Sequence, residues 1–235
     1  MTLTLSGELI CDEWAQVYRW FGFEDGWYCP GDIRAAIAGL TAGEELTLEI
    51  NSVGGDVFAA SEIYALLEGC PNPTRAVIQS LAASAASYYP LSCDRVEMAL
   101  SAQMMIHCAG WDVGGNKTDH RWAADQLEVT DSTILDVYSR KCGQKATRDQ
   151  LEALMEGETY LSARQCLELG LVDAILGEDA PAEGEPLAQV ASATGNLIRA
   201  MRTRPDIRIL MERRASELQA ARDALDLEKH RYPRA

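Results

Sequence analysis

The chain has 235 residues, 47% hydrophobic and 24% charged, which is room for one well-cored α/β domain plus an appendage but hardly for two full domains. A net charge of −15 excludes the basic footprint of a nucleic-acid binder. No apolar run approaches the roughly 20 residues that a membrane helix needs, and MTLTLSGELICDE lacks a basic segment followed by an apolar core, so the sequence predicts no signal peptide and a cytoplasmic protein.

In chain order, ELTLEINS (45–52) predicts a buried strand running into the turn VGGD (53–56). Residues 57–69 carry Val57, Ile63, Leu66 and Leu67 at helical spacing, and Pro71 and Pro73 end that helix. TRAVIQS (74–80) predicts a second strand, 84–91 a short helix, and RVEMAL (95–100) and QMMIH (103–107) two short strands. A long helix is expected over 116–142, stopped by Gly143, and a second near 147–156. Another falls near 162–169, with Ser162 as N-cap and Gly170 as stop, before a last strand LVDAI (171–175). Strands alternating with helices through short connections predict βαβ units and a largely parallel sheet.

Three regions follow: a main domain over 1–176, an acidic linker with two prolines over 177–190, and a helical tail over 191–235. From Arg199 to Ala235 ten basic residues face six acidic ones, so the acidic excess belongs to the body and the tail is mildly basic. Apolar residues from Ile207 to Leu225 form a narrow helical stripe that suits a partner. The seven cysteines (11, 29, 70, 93, 108, 142 and 166) make no CxxC pair, which fits reduced thiols better than a disulfide framework or a zinc site.

Two stretches carry chemistry. INSVGGD (50–56) ends a strand in two glycines, which either form an ordinary turn or let a backbone N–H point at a substrate oxygen with no Cβ in the way. SLAASAASYYP (80–90) sets Ser80, Ser84 and Ser87 among alanines. Ser84 is best placed for a nucleophile, where a strand ends and a helix begins, with the N–H of Ala85 free to donate. Ser87, one turn further in, reads as a spectator bonded to a backbone carbonyl, and Ser80 as satisfying a backbone group. The alternative for the whole stretch is a small-residue packing helix. A nucleophilic serine needs a base. Of three histidines, His230 lies in the tail and His120 among charged residues, which leaves His107, after an apolar strand. Cys108 is a rival nucleophile, but adjacent strand residues point to opposite faces, away from His107.

INSVGGD, LAAS, MMIH and YLSARQCLELGLVD (160–173), in this order and rough spacing, resemble the ClpP-type serine proteases over about residues 3–176, and most closely their bacteriophage relatives, the ClpP-like prohead (head maturation) proteases. The resemblance implies a ClpP/crotonase α/β spiral of βαβ units with helix 116–142 as a projecting handle. Trp122, Leu127, Ile134, Leu135 and Tyr138 would then supply apolar contacts for association. It further implies Ser84 as nucleophile, His107 as general base, the N–H groups of Gly55 and Ala85 as oxyanion donors, and Glu158, where the family has aspartate, as the third triad member. The chemistry needs neither metal nor cofactor. Val53 stands where the family usually has proline, Ser80 replaces a usual glycine, and the interval from 84 to 107 is a little short, all of which lean toward the phage branch. The expected function is endopeptidase processing of scaffold or prohead proteins in capsid maturation, by a homo-oligomeric ring. The alternatives are a cytosolic ClpP-like subunit working with an ATP-dependent unfoldase, and a crotonase-like acyl-CoA enzyme or non-catalytic scaffold on the same fold.

Overall fold

The computed structural model describes residues 1–178. The expected tail, and all but the first two residues of the expected linker, lie outside the described residues. The order is β1 (Thr2–Leu9), α1 (Asp12–Trp20), β2 (Trp27–Tyr28), α2 (Pro30–Gly39), β3 (Leu46–Gly55), α3 (Val57–Glu68), β4 (Thr74–Ala83), two 3₁₀ turns (Ser84–Ser87 and Tyr89–Ser92), β5 (Arg95–Met98), β6 (Gln103–Ile106), α4 (Lys117–Cys142), α5 (Arg148–Glu156), β7 (Thr159–Ser162), α6 (Ala163–Leu169) and β8 (Ala174–Ile175). The strands run β2-β1-β3-β4-β5-β8, every neighbouring pair parallel. This is the α/β architecture that the alternation of elements predicts.

On the edge away from β3, β4 serves two partners. Its first half, Arg75–Ile78, pairs with β5, and its second half, Leu81–Ala83, pairs with β6. β6 in turn pairs antiparallel with β7. A register shift makes the division: Ile50 faces Ile78, but Ser52 faces Ala82. The extra residues of β4 bulge outward, which leaves Gln79 and Ser80 exposed, and the strand is re-aimed toward β6.

β3 and β4 form the centre of the core. Leu46, Leu48, Ile50, Ala76 and Ile78 are fully buried, and Ile63 of α3 and Ile33 of α2 are fully buried in the same cluster. β3 ends where the sequence changes to glycine. Gly54 and Gly55 have φ of 90° and 147°. Asp56 then caps α3, its carboxylate accepting from the N–H groups of Phe58 (2.8 Å) and Ala59 (2.9 Å).

Three expectations are corrected. First, 84–91 is not one helix but two 3₁₀ turns, because Ser84 enters with φ of 56° and Pro90 has no N–H to continue a ladder. A four-residue turn has no macrodipole of consequence, so a positive helix end does not account for Ser84. Second, the last strand is only Ala174–Ile175. The N–H groups of Leu171 and Val172 bond the Cys166 carbonyl, closing α6 past Gly170, which takes the left-handed conformation (φ 81°). Third, Ile134, Leu135 and Tyr138 are buried inside their own chain and are not offered to a partner, whereas Trp122 is 54% exposed. Beyond these, β1, α1, β2 and α2 precede the first element read from the sequence, and β1 lies inside the sheet, between β2 and β3.

β1 also fixes the glycine turn. The Asp56 N–H donates to the Leu9 carbonyl (2.9 Å), and a Cβ on Gly55 would lie 2.0 Å from that same oxygen. Gly55→Ala therefore combines a backbone clash with a φ that L-residues avoid, and is expected to destabilise the fold by at least about 2 kcal/mol. Urea unfolding measures it; an unchanged midpoint would mean that the end of β1 yields freely.

Candidate active site

Ser84 follows directly on β4, and its φ of 56° is unusual for a residue with a side chain. The geometry is that of an elbow, which turns the hydroxyl out of the sheet edge. Gly54 makes the elbow possible. A Cβ there would fall 2.5 Å from the Ala83 carbonyl oxygen, 2.7 Å from Ser84 Cβ and 2.9 Å from the Ala85 nitrogen. The glycine turn and the serine elbow are thus in backbone contact, and only glycine leaves room for it.

His107 follows the last residue of β6. β6 pairs with the end of β4, so the ring arrives beside the elbow, with His107 Nε2 2.7 Å from Ser84 Oγ. The other nitrogen faces Glu158. β7 runs antiparallel to β6 with Thr159 opposite Ile106, which sets Glu158 beside His107. Glu158 Oε1 lies 3.9 Å from His107 Nδ1, within charge–charge range but beyond hydrogen-bond length. Glu158 also has a positive φ, 46°, in the turn between α5 and β7. The His107 side chain is 24% exposed and that of Glu158 34%, so both reach solvent.

A cleft of about 660 Å³ opens on this pair, lined by Ser84, His107, Gly55 and Ala85. All the residues expected at the site except Glu158 therefore line one cavity. Its lining also includes the aromatic and apolar side chains of Trp111 and Trp122, at a centroid distance of 5.5 Å, and of Phe58 and Val129. His120 is exposed and lies outside the cleft lining. His230 lies outside the described residues.

Three side chains just after the elbow tie it to three different elements. Ser87 donates to the Ser84 carbonyl and meets the Tyr138 hydroxyl of α4 at 2.6 Å. Tyr88 donates to the Val57 carbonyl at the start of α3 (2.6 Å) and contacts Ser61 Oγ (2.9 Å). Tyr89 meets Tyr28 of β2 (3.1 Å), whose hydroxyl donates to Ser52 (2.8 Å). Ser52 donates on to the Gly7 carbonyl (2.7 Å) and accepts from the Gly54 N–H (3.1 Å). Burial pushes the phenols of Tyr28 and Tyr88 up to about 12, so both stay protonated donors at neutral pH. Residue order alone gave no account of these anchors. The one signal was the juxtaposition Ser-Tyr-Tyr-Pro after a small-residue run, since buried tyrosine hydroxyls find partners.

The rival Cys108 is half-buried. Desolvation, with the Asp131 carboxylate beside it, pushes its thiol up to about 11, which leaves little thiolate at neutral pH. Asp131 also accepts from the Ala109 N–H (2.6 Å), tying α4 to the loop after His107.

The Clp protease family model matches residues 36–179. ATP-dependent Clp protease proteolytic subunit 1 of Chlamydia muridarum is 31% identical over 138 residues, covering 57% of this chain and 71% of its own length. The same-named protein of Chlamydia trachomatis serovar D matches to the same extent. Proteolytic subunit 2 of Thermobifida fusca is 33% identical over 134 residues, covering 56% of this chain and 65% of its own.

The raised thiol gives a direct test. Alkylation of Cys108 by iodoacetamide, mapped by mass spectrometry, is expected to accelerate about tenfold per pH unit through pH 8–10, since the thiolate forms only on approach to a pKa of about 11. A plateau reached by pH 8 would show an activated thiol with a lowered pKa.

Proposed function

We propose that the chain, which belongs to the Clp protease family and is a serine-type endopeptidase of ClpP-like kind, uses Ser84 as nucleophile, His107 as general base and Glu158 as the orienting acid. The observation that carries this reading is the 2.7 Å contact between His107 Nε2 and Ser84 Oγ at the mouth of the cleft. With its proton on Nδ1, facing Glu158, the imidazole presents the Nε2 lone pair to the serine hydroxyl. Ser84 Oγ attacks the scissile carbonyl and His107 takes the proton. The tetrahedral oxyanion is held by the N–H groups of Gly55 and Ala85, both of which line the cleft. His107 then returns the proton to the leaving amine, and water repeats the sequence on the acyl-enzyme. At 3.9 Å, Glu158 acts mainly through charge on the imidazolium that forms in the transition state. The aromatic and aliphatic wall suits a substrate with a large apolar side chain next to the scissile bond. A Ser–His pair in contact supports peptide hydrolysis over the acyl-CoA chemistry or non-catalytic role also weighed for this fold.

For the substrate, the reading is a scaffold or prohead protein of a virus capsid, cut by a homo-oligomeric ring in the host cytoplasm or the prohead. Its support is the resemblance of the four motifs to the phage branch, with Val53 and Ser80 at positions that depart from the housekeeping pattern. Val53 stands 61% exposed at a register shift between β1 and β3. A second reading, a proteolytic subunit fed by an ATP-driven unfoldase, is favoured by the names of the cellular relatives. Incubation with an unfolded polypeptide and with scaffold protein, each with and without a Clp unfoldase and ATP, separates the two. Scaffold cleavage without ATP supports the first; hydrolysis that requires the unfoldase supports the second.

Ser84→Ala is expected to lower peptide hydrolysis on the order of 10⁶-fold and abolish fluorophosphonate labelling. Glu158→Gln should cost less, roughly 10²–10⁴-fold, with labelling slowed but not lost. Near-normal turnover in Glu158→Gln would assign the orienting role elsewhere, with Glu156 the first carboxylate to test.

A further inference from the structure

We infer that the Tyr138 hydroxyl is a positioning group for the nucleophile, acting through Ser87 on the backbone of Ser84, and this rests on the endopeptidase reading above. Ser87 Oγ touches both the Ser84 carbonyl and the Tyr138 hydroxyl. A carbonyl can only accept, so the single Ser87 proton lies on the Ser84 oxygen, and Tyr138 must supply the proton between the two hydroxyls. The direction of the relay is therefore fixed: α4 donates to Ser87, and Ser87 donates to the residue that carries the nucleophile.

The relay has no slack. Ser87 is fully buried and Tyr138 is 1% exposed, so water cannot replace either hydroxyl. Its target is the carbonyl of the residue held at φ 56°, a conformation that returns to a common region unless its surroundings hold it. A rotation there would swing Ser84 Oγ away from His107 Nε2. Tyr138 also lines the cleft, so the same side chain borders the substrate cavity and fixes the elbow.

Tyr138→Phe keeps the ring and deletes only the hydroxyl. Expected is a fall in kcat of roughly 10- to 100-fold with KM unchanged, matched by slower fluorophosphonate labelling of Ser84. Ser87→Ala should lose a similar factor, and the double variant should be no slower than the worse single one, because both cut one relay. Melting curves accompany each variant, and if Tyr138→Phe fails to fold, Ser87→Ala decides alone. Wild-type labelling rates in a folded Tyr138→Phe or Ser87→Ala overturn the inference. So do losses that multiply in the double variant, or a rise in KM with kcat unchanged. A wild-type protein that is not labelled at Ser84 overturns the endopeptidase reading, and the inference with it; a labelled wild type with unaffected variants overturns the inference alone.

Discussion

The contact between Ser84 and His107 exists because residue 84 is held in a conformation that a serine normally avoids. At φ 56° the elbow costs on the order of 1–3 kcal/mol, so it persists only if the surrounding structure over-determines it. The surroundings do so from both sides. In front, Gly54 packs against the backbone of residues 83–85 with no side chain between them. Behind, Ser87, Tyr88 and Tyr89 fasten the chain to α4, α3 and β2.

Those three anchors reach different parts of the molecule but return to one place. Tyr89 leads through Tyr28 and Ser52 to the N–H of Gly54, which is the glycine that faces the elbow. Tyr88 holds the carbonyl of Val57, at the start of the helix that the glycine turn feeds. Each of these buried hydroxyls has a hydrogen-bond partner, so the cost of burying it is offset by the bond it makes. Buried hydroxyls that bond one another in an otherwise apolar core admit few alternative arrangements, which is what a fixed elbow needs.

The sheet supplies the rest. β4 switches partner from β5 to β6 after a bulge, and the switch brings the strand before His107 alongside the strand before Ser84. β7 adds the antiparallel edge that delivers Glu158. β1, inserted between β2 and β3, closes on Gly55 and Asp56 and so fixes the other lip of the cleft. The site is an intersection of strand ends: β3, β4 and β6 all terminate within it.

The sequence by itself determined the parallel α/β plan, because runs of apolar residues at period 2 and period 3.6 alternate over short connections from residue 45 onward. Residue order also made Ser84 the best placed of three serines and left His107 as the one plausible base of three histidines, while their roles came from the resemblance to the ClpP-type proteases. Val57, Ile63 and Leu67 mark α3 for the same local reason, and Gly143 ends α4 while Ser162 and Gly170 cap α6 where the sequence places them. Only the tertiary structure decided what depends on register and on close approach. It split 84–91 into two tight turns, turned Ile134, Leu135 and Tyr138 inward, drew the unassigned β1 into the sheet, and set Glu158 3.9 Å from the imidazole. The physical reason is range. Helix caps and hydrophobic periods are written within a few residues, whereas Tyr138 and Ser87 stand 51 positions apart, Tyr28 and Tyr89 61 apart, and their pairing is fixed only when the sheet assembles between them.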